Sequence, residues 1–119
     1  MKCLLLVAHG SWLPETNEEI KRLTDEIRLR LRGRYARVTH AFLEFAQPAF
    51  TDEFESCIQS GAKEIVVLPY LLSVGRHVKR DIPELIKAKE AEHPDVRIKL
   101  APYVGSAEGI TDLVLSLVP

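Results

Sequence analysis

The chain has 119 residues, 46% of them hydrophobic and 28% charged, enough for one compact domain over residues 1–119 and too few for two ordinary ones. Sixteen basic against seventeen acidic residues leave a formal charge of −1, which excludes the global cationic field of a nucleic-acid or anionic-membrane binder. No apolar run approaches the roughly 18 residues that span a bilayer. The run Cys3 to Ala8 is shorter than a signal core and is followed at once by His9, Gly10 and Ser11. Cys3 and Cys57 lie far apart in the chain and show neither a disulfide framework nor a paired-thiol zinc spacing, so a reducing, cytoplasmic setting is the expectation.

Cys3 to Ala8 is continuously apolar, the mark of a strand buried on both faces, and it stops at Gly10 with Pro14 close behind. Ile20, Leu23, Ile27 and Leu31 recur at spacings of three and four between charged residues, which predicts an amphipathic helix over Glu15 to Arg32, ended by Gly33. Arg37 to Leu43 reads as a second strand, and Gln47 and Pro48 open a helix marked by Phe50, Phe54 and Ile58 and closed by Gly61. Ile65 to Leu68 reads as a third strand, the second fully apolar one, interrupted by Pro69. Tyr70 to Lys79 has no clear period and contains Gly75, so it reads as a functional loop. Asp81 is expected to cap a third helix, with Pro83 in its first turn, running to about Glu92 before His93 and Pro94. Val96 to Leu100 makes a fourth strand. Ser106 is expected to cap a last helix whose Ile110, Leu113, Val114, Leu115, Leu117 and Val118 are apolar on nearly every side and so want covering. This alternation predicts a three-layer α/β fold: a four-stranded parallel sheet of flavodoxin-like topology, with right-handed crossovers and helices on both faces.

Open parallel sheets bind ligands beyond the carboxyl ends of their strands. His9 follows the first strand, Glu44 the second, and His77 lies in the loop after the third, so these side chains are expected at one edge of the sheet. Two neutral imidazoles and a carboxylate suit divalent cobalt, nickel, iron or zinc better than magnesium or calcium. So few ligands leave coordination positions open, as metal transfer requires. Plainer readings stand beside this one. A histidine is most often a surface or core residue, and Glu44 can simply favour the macrodipole of the following helix. His40 and His93 read as structural, and Ser11 and Asn17 as caps of the first helix. Arg76, Lys79 and Arg80 surround His77 and suit either carboxylate pairing or a solvated face. Trp12, Leu13, Leu72 and Val74 offer apolar surface for a flat ligand or for core packing. The turn after the first strand lacks the dinucleotide glycine pattern and the P-loop lysine, so no organic cofactor is expected.

Taken together, His9-Gly10-Ser11 with Pro14 and Asn17, Phe42-Leu43-Glu44 with Pro48, and Pro69-Tyr70-Leu71-Leu72 with Gly75, His77 and Asp81-Ile82-Pro83 resemble a known family. It is that of the short class II chelatases, the small sirohydrochlorin cobaltochelatases of the CbiX type, and the resemblance runs in order over nearly the whole chain. Ala49 departs from the serine that many relatives carry after the proline of the second block. The resemblance implies a chelatase-like fold and insertion of a divalent metal into sirohydrochlorin with release of two protons. Cobalt is the first choice, nickel or iron the alternatives. It also implies His9 and His77 as metal ligands and His9, Glu44 and His77 as the catalytic set. Ser11, Glu44, Tyr70, Leu72, Ser73, Val74, Gly75, Arg76 and Lys79 are implied as substrate contacts. A homodimer is expected, because longer relatives hold two such lobes in one chain and the over-apolar last helix needs a covering surface. A non-catalytic metal or tetrapyrrole carrier and a histidine phosphotransfer enzyme are the rival readings. Ala8 stands where the phosphotransfer opening Arg-His-Gly carries arginine, which counts against the second.

Overall fold

The structure, a computed structural model, describes the backbone of all 119 residues and every side chain except that of His77. Four parallel strands stand in the order β2-β1-β3-β4. They are β1 (Lys2–Ala8), β2 (Arg37–Phe42), β3 (Glu64–Pro69) and β4 (Arg97–Leu100), linked by α1 (Pro14–Arg30), α2 (Phe50–Gln59) and α3 (Arg76–Glu92). A 3-10 turn at Val104–Ser106 and a short helix, α4 (Ile110–Leu115), follow β4.

β1 is paired along its length on both sides, so its continuous apolar run serves two faces at once. Cys3, Leu5 and Val7 join Ala41, Ile65 and Val67 beneath Phe50, Phe54 and Cys57 of α2 and Ile82 and Ile86 of α3. Leu4 and Leu6 join Val38 on the opposite face, against Leu23 and Ile27 of α1. The two cysteines, remote in sequence, meet in the first core with their Sγ atoms 2.8 Å apart, both fully buried.

Several boundaries differ from the sequence expectation. β3 is not buried on both faces: Ile65, Val67 and Pro69 are buried, but Val66 and Leu68 are half-buried, because α1 lies over the β1 and β2 side of its face. α3 begins at Arg76, headed by Gly75, so the loop after β3 ends there and Arg76 to Lys79 are helical. Asp81 therefore does not cap the helix, and Pro83 sits inside it. Proline at that point forfeits one backbone bond to the Lys79 carbonyl, while its ring packs in an apolar cleft with Val78, Ile82 and Leu100. Ser106 does not cap the last helix either. It lies in the 3-10 turn and donates its hydroxyl to the Tyr103 carbonyl at 2.6 Å, and Gly109 heads α4. Leu113, Val114, Leu115, Leu117 and Val118 are between 55% and 79% exposed, so the apolar tail finds no cover within the chain. No helix among the described residues is long and apolar enough to cross a membrane.

Candidate functional site

β1 and β2 end side by side, and their pairing continues past the sheet. Leu43 N–H donates to the Ala8 carbonyl and Glu44 N–H to the His9 carbonyl, each at 2.9 Å. Gly10 permits this approach. It has φ +99°, and a Cβ built on it would lie 1.8 Å from the Glu44 carbonyl oxygen, so any side chain would wedge the two loops apart. Asn17 steadies the same loop from α1: its Oδ1 accepts Ser11 N–H at 3.1 Å and its Nδ2 donates to the Ser11 carbonyl at 2.9 Å. Ser11 Oγ accepts Leu13 N–H at 3.0 Å. Neither residue caps α1, which is headed by Leu13 without a side-chain cap; both shape the loop that carries His9.

This scaffold sets His9 Nε2 3.5 Å from Glu44 Oε2, with the side chains 52% and 48% exposed. His9 Nδ1 lies 3.3 Å from the Gly10 carbonyl oxygen. The tautomer that donates there turns the Nε2 lone pair toward the carboxylate. A lone pair and a carboxylate at that distance repel unless a cation lies between them. An imidazole nitrogen and a carboxylate oxygen at this spacing are donors of the kind that divalent transition metals accept.

His9 and Glu44 open on a cleft of 260 Å³ whose opposite wall is α3, through Val78, Asp81, Ile82 and Leu85. His77 lies in the first turn of that helix; its side chain falls outside the described residues. Asp81 adds a second carboxylate to the cleft, a role the sequence reading missed by treating it as a cap. The signal was the one-turn spacing of positions 77 and 81, which shares a helix face only if the helix starts before His77.

The expected substrate contacts do not all converge. Val74 and Lys79 line a second cleft of 490 Å³ with Pro83, Leu100 and Tyr103, which meets the first along Val78 and Ile82. Ser11 lines a groove on the α1 side. Tyr70 and Leu72 are exposed, and the Leu72 carbonyl rests on Gly105, where a Cβ would come within 1.7 Å. Gly105 N–H donates to the Leu71 carbonyl at 3.0 Å, so the loop after β3 is seated on the 3-10 turn. Ser73, Gly75 and Arg76 are exposed at the head of α3.

A different cluster, Glu55, Glu92 and His93, also has metal-ligand geometry. Its central position is taken by the Lys89 ammonium, 2.5 Å from Glu55 Oε1 and 3.3 Å from Glu92 Oε2. The hydrogen bond from Lys89 holds the Glu55 carboxyl below its ordinary range, with a further contribution from His93. Through these ion pairs the cluster ties α2 to the end of α3.

A family model described as CbiX matches residues 3–119. The chain belongs to the CbiX family. It is 36% identical over 93 residues to a sirohydrochlorin cobaltochelatase of Methanocaldococcus jannaschii, covering 78% of this chain and 64% of that protein. It is 32% identical over 115 residues to a sirohydrochlorin ferrochelatase of Priestia megaterium, covering 97% and 42%. The match to a sirohydrochlorin cobaltochelatase of Sulfolobus acidocaldarius is 32% over 111 residues, covering 93% and 85%. The chain thus spans less than two thirds of the first two relatives and most of the third. Its fold superposes on a CbiX protein from Marinobacter aquaeolei VT8 with TM-score 0.82 at 26% identity, covering 98% and 93% of the two chains. It also superposes on the sirohydrochlorin chelatase SirB from Bacillus subtilis subspecies spizizenii in complex with cobalt, with TM-score 0.83 at 29% identity, covering 97% of this chain and 48% of that one.

Proposed function

We propose that this CbiX-family chain is a sirohydrochlorin metallochelatase. The observation that carries the reading is the His9 Nε2 and Glu44 Oε2 pair, 3.5 Å apart and half exposed where β1 and β2 end. Insertion replaces two pyrrole N–H bonds with metal–nitrogen bonds and releases two protons. His9, with His77 from α3, holds the incoming ion through neutral imidazoles, and the open positions let the macrocycle nitrogens take over. The two pyrrole protons pass to an imidazole of His9 or His77 as it gives up the metal and to the Glu44 carboxylate beside it, and from there to solvent. Arg76 and Lys79 at the head of α3 supply positive charge for the carboxylate rim of the substrate. Relatives carry both cobalt and iron names; cobalt is the proposed metal, with nickel or iron as the alternatives. The proposed setting is the cytoplasm, where buried thiols such as those of Cys3 and Cys57 stay reduced.

The working unit proposed is a homodimer. A macrocycle needs two walls, and this chain supplies one. The exposed apolar α4 and the half-open Val66 and Leu68 supply matching surfaces for a second copy. The test of function is sirohydrochlorin metallation followed by absorbance, run in parallel with cobalt, nickel and iron. His9→Ala, His77→Ala and Glu44→Gln are each expected to lower insertion by about 100-fold or more. Full turnover by both histidine variants would remove the ligand assignment, and binding of metal and tetrapyrrole without turnover would make the protein a carrier.

A further inference from the structure

We infer that Trp12 and Phe45 form an aromatic wall that holds one face of the flat conjugated macrocycle beside His9; the inference rests on the chelatase reading and names where its substrate lies. Trp12 is 76% exposed and Phe45 47%. Side chains of this size normally bury their rings. Here they lie on each other instead, with ring centroids 4.6 Å apart and planes tilted by 36°, and Phe45 lies 6.1 Å from the His9 ring. The three rings make a continuous band that ends at the His9 and Glu44 pair.

The backbone holds this band in place. Phe45 has φ 66°, in the left-handed region that a bulky side chain enters only under constraint. The constraint comes from both sides of it: Glu44 N–H is bonded to the His9 carbonyl, and Phe42 N–H donates to the Pro48 carbonyl at 2.9 Å. The connection between β2 and α2 is thereby pinned, with the Phe45 ring turned outward against Trp12. A shallow cleft of 430 Å³ under Trp12 and Phe45 shares Leu43, Glu44 and Ala49 with the cleft that contains His9. A flat ligand laid on the wall therefore reaches the metal-transfer pair without crossing the protein. Lys21 and Gln47 line the outer end of this surface and offer donors to carboxylates at the rim of the ring. A tilted aromatic pair suits an extended π-system, which prefers offset and edge-on contacts to a perfect sandwich.

The experiment compares the parent with Trp12→Leu, Phe45→Leu, the double variant and Phe45→Gly. It measures metal-free sirohydrochlorin titration, cobalt binding without tetrapyrrole, kcat and KM for insertion, and mass in solution. The double variant is expected to raise KM for sirohydrochlorin about tenfold, with kcat within about twofold and cobalt affinity and mass unchanged. Phe45→Gly relaxes the left-handed backbone, so it folds at least as well as the parent and still loses sirohydrochlorin affinity. A double variant that binds sirohydrochlorin as tightly as an active parent overturns the wall and leaves the chelatase reading standing. A change in mass with KM intact assigns the aromatic pair to an interface between copies and also overturns it. A parent that does not bind sirohydrochlorin removes the chelatase reading, and the wall with it.

Discussion

On the face covered by α2 and α3, Cys3, Leu5, Val7, Ile65 and Val67 are completely buried, whereas on the face covered by α1 burial reaches Leu4, Leu6 and Val38 and leaves Val66 and Leu68 half open. The asymmetry follows from topology. The crossover from β1 to β2 runs one way along the sheet and those from β2 to β3 and β3 to β4 run the other, so right-handedness puts one helix on the first face and two on the second. The bare half of the α1 face lies over β3 and β4. α4 has the apolar composition to cover it but extends away, and the molecule measures 49 Å along its longest axis against 29 Å along its shortest. Folding is thus secured mainly by one face, while the other leaves apolar surface open. Substitutions should separate the two.

The largest effect belongs to the closed face. Phe54 is fully buried at its centre and makes an edge-on contact with Phe50, ring centroids 6.3 Å apart. Phe54→Ala is expected to cost about 3–5 kcal/mol in urea unfolding, a large part of the roughly 5–15 kcal/mol that holds a domain folded. A loss below about 1 kcal/mol would show that the closed face is not what stabilises the fold. The open face predicts the reverse pattern. Leu113→Glu combined with Leu117→Glu should leave the unfolding free energy of the isolated chain within about 0.5 kcal/mol, while sedimentation shows a dimer replaced by a monomer. A dimer that survives both charges would place the interface elsewhere.

The strand and helix order was readable in the sequence wherever its signals are local. The apolar run of β1 announces a central strand, the three-and-four spacing of Leu23, Ile27 and Leu31 announces α1, and the strand ends place His9 and Glu44 at one edge. What escaped depended on contacts between distant residues. An apolar β3 does not reveal that α1 stops short of Val66 and Leu68. Gly10 reads as a turn residue, and nothing near it in sequence shows that its hydrogen faces the Glu44 carbonyl. The meeting of Cys3 with Cys57 is hidden for the same reason. α3 starts earlier than its sequence suggests, because Pro83 has the look of a first-turn residue and charged side chains break the helical period before it. Phe45 belongs to no periodic pattern, and only its backbone conformation marks it out.

The smallest expected effect reaches the α1 face through acid. His40 pairs with Leu6 across the sheet and meets Phe42 edge-on at 5.5 Å, half-buried on that face; the closed core contains no histidine among the described residues. Burial pushes the His40 imidazolium below its ordinary 6.5, against the attraction of Glu53 and Asp25, with Lys21 and Arg28 adding to the depression. The folded state therefore takes up this proton later than the unfolded chain as pH falls. The stability it contributes is complete above about pH 6.5 and is lost as pH drops through the folded value. The Tm of the parent should stay level from about pH 8 to about pH 7 and then decline, and His40→Gln should remove part of the decline. Hydrogen exchange should show α1 amides losing protection on acidification before those of α2. Parallel pH profiles for parent and variant, or equal loss in both helices, would mean that acid does not distinguish the two faces.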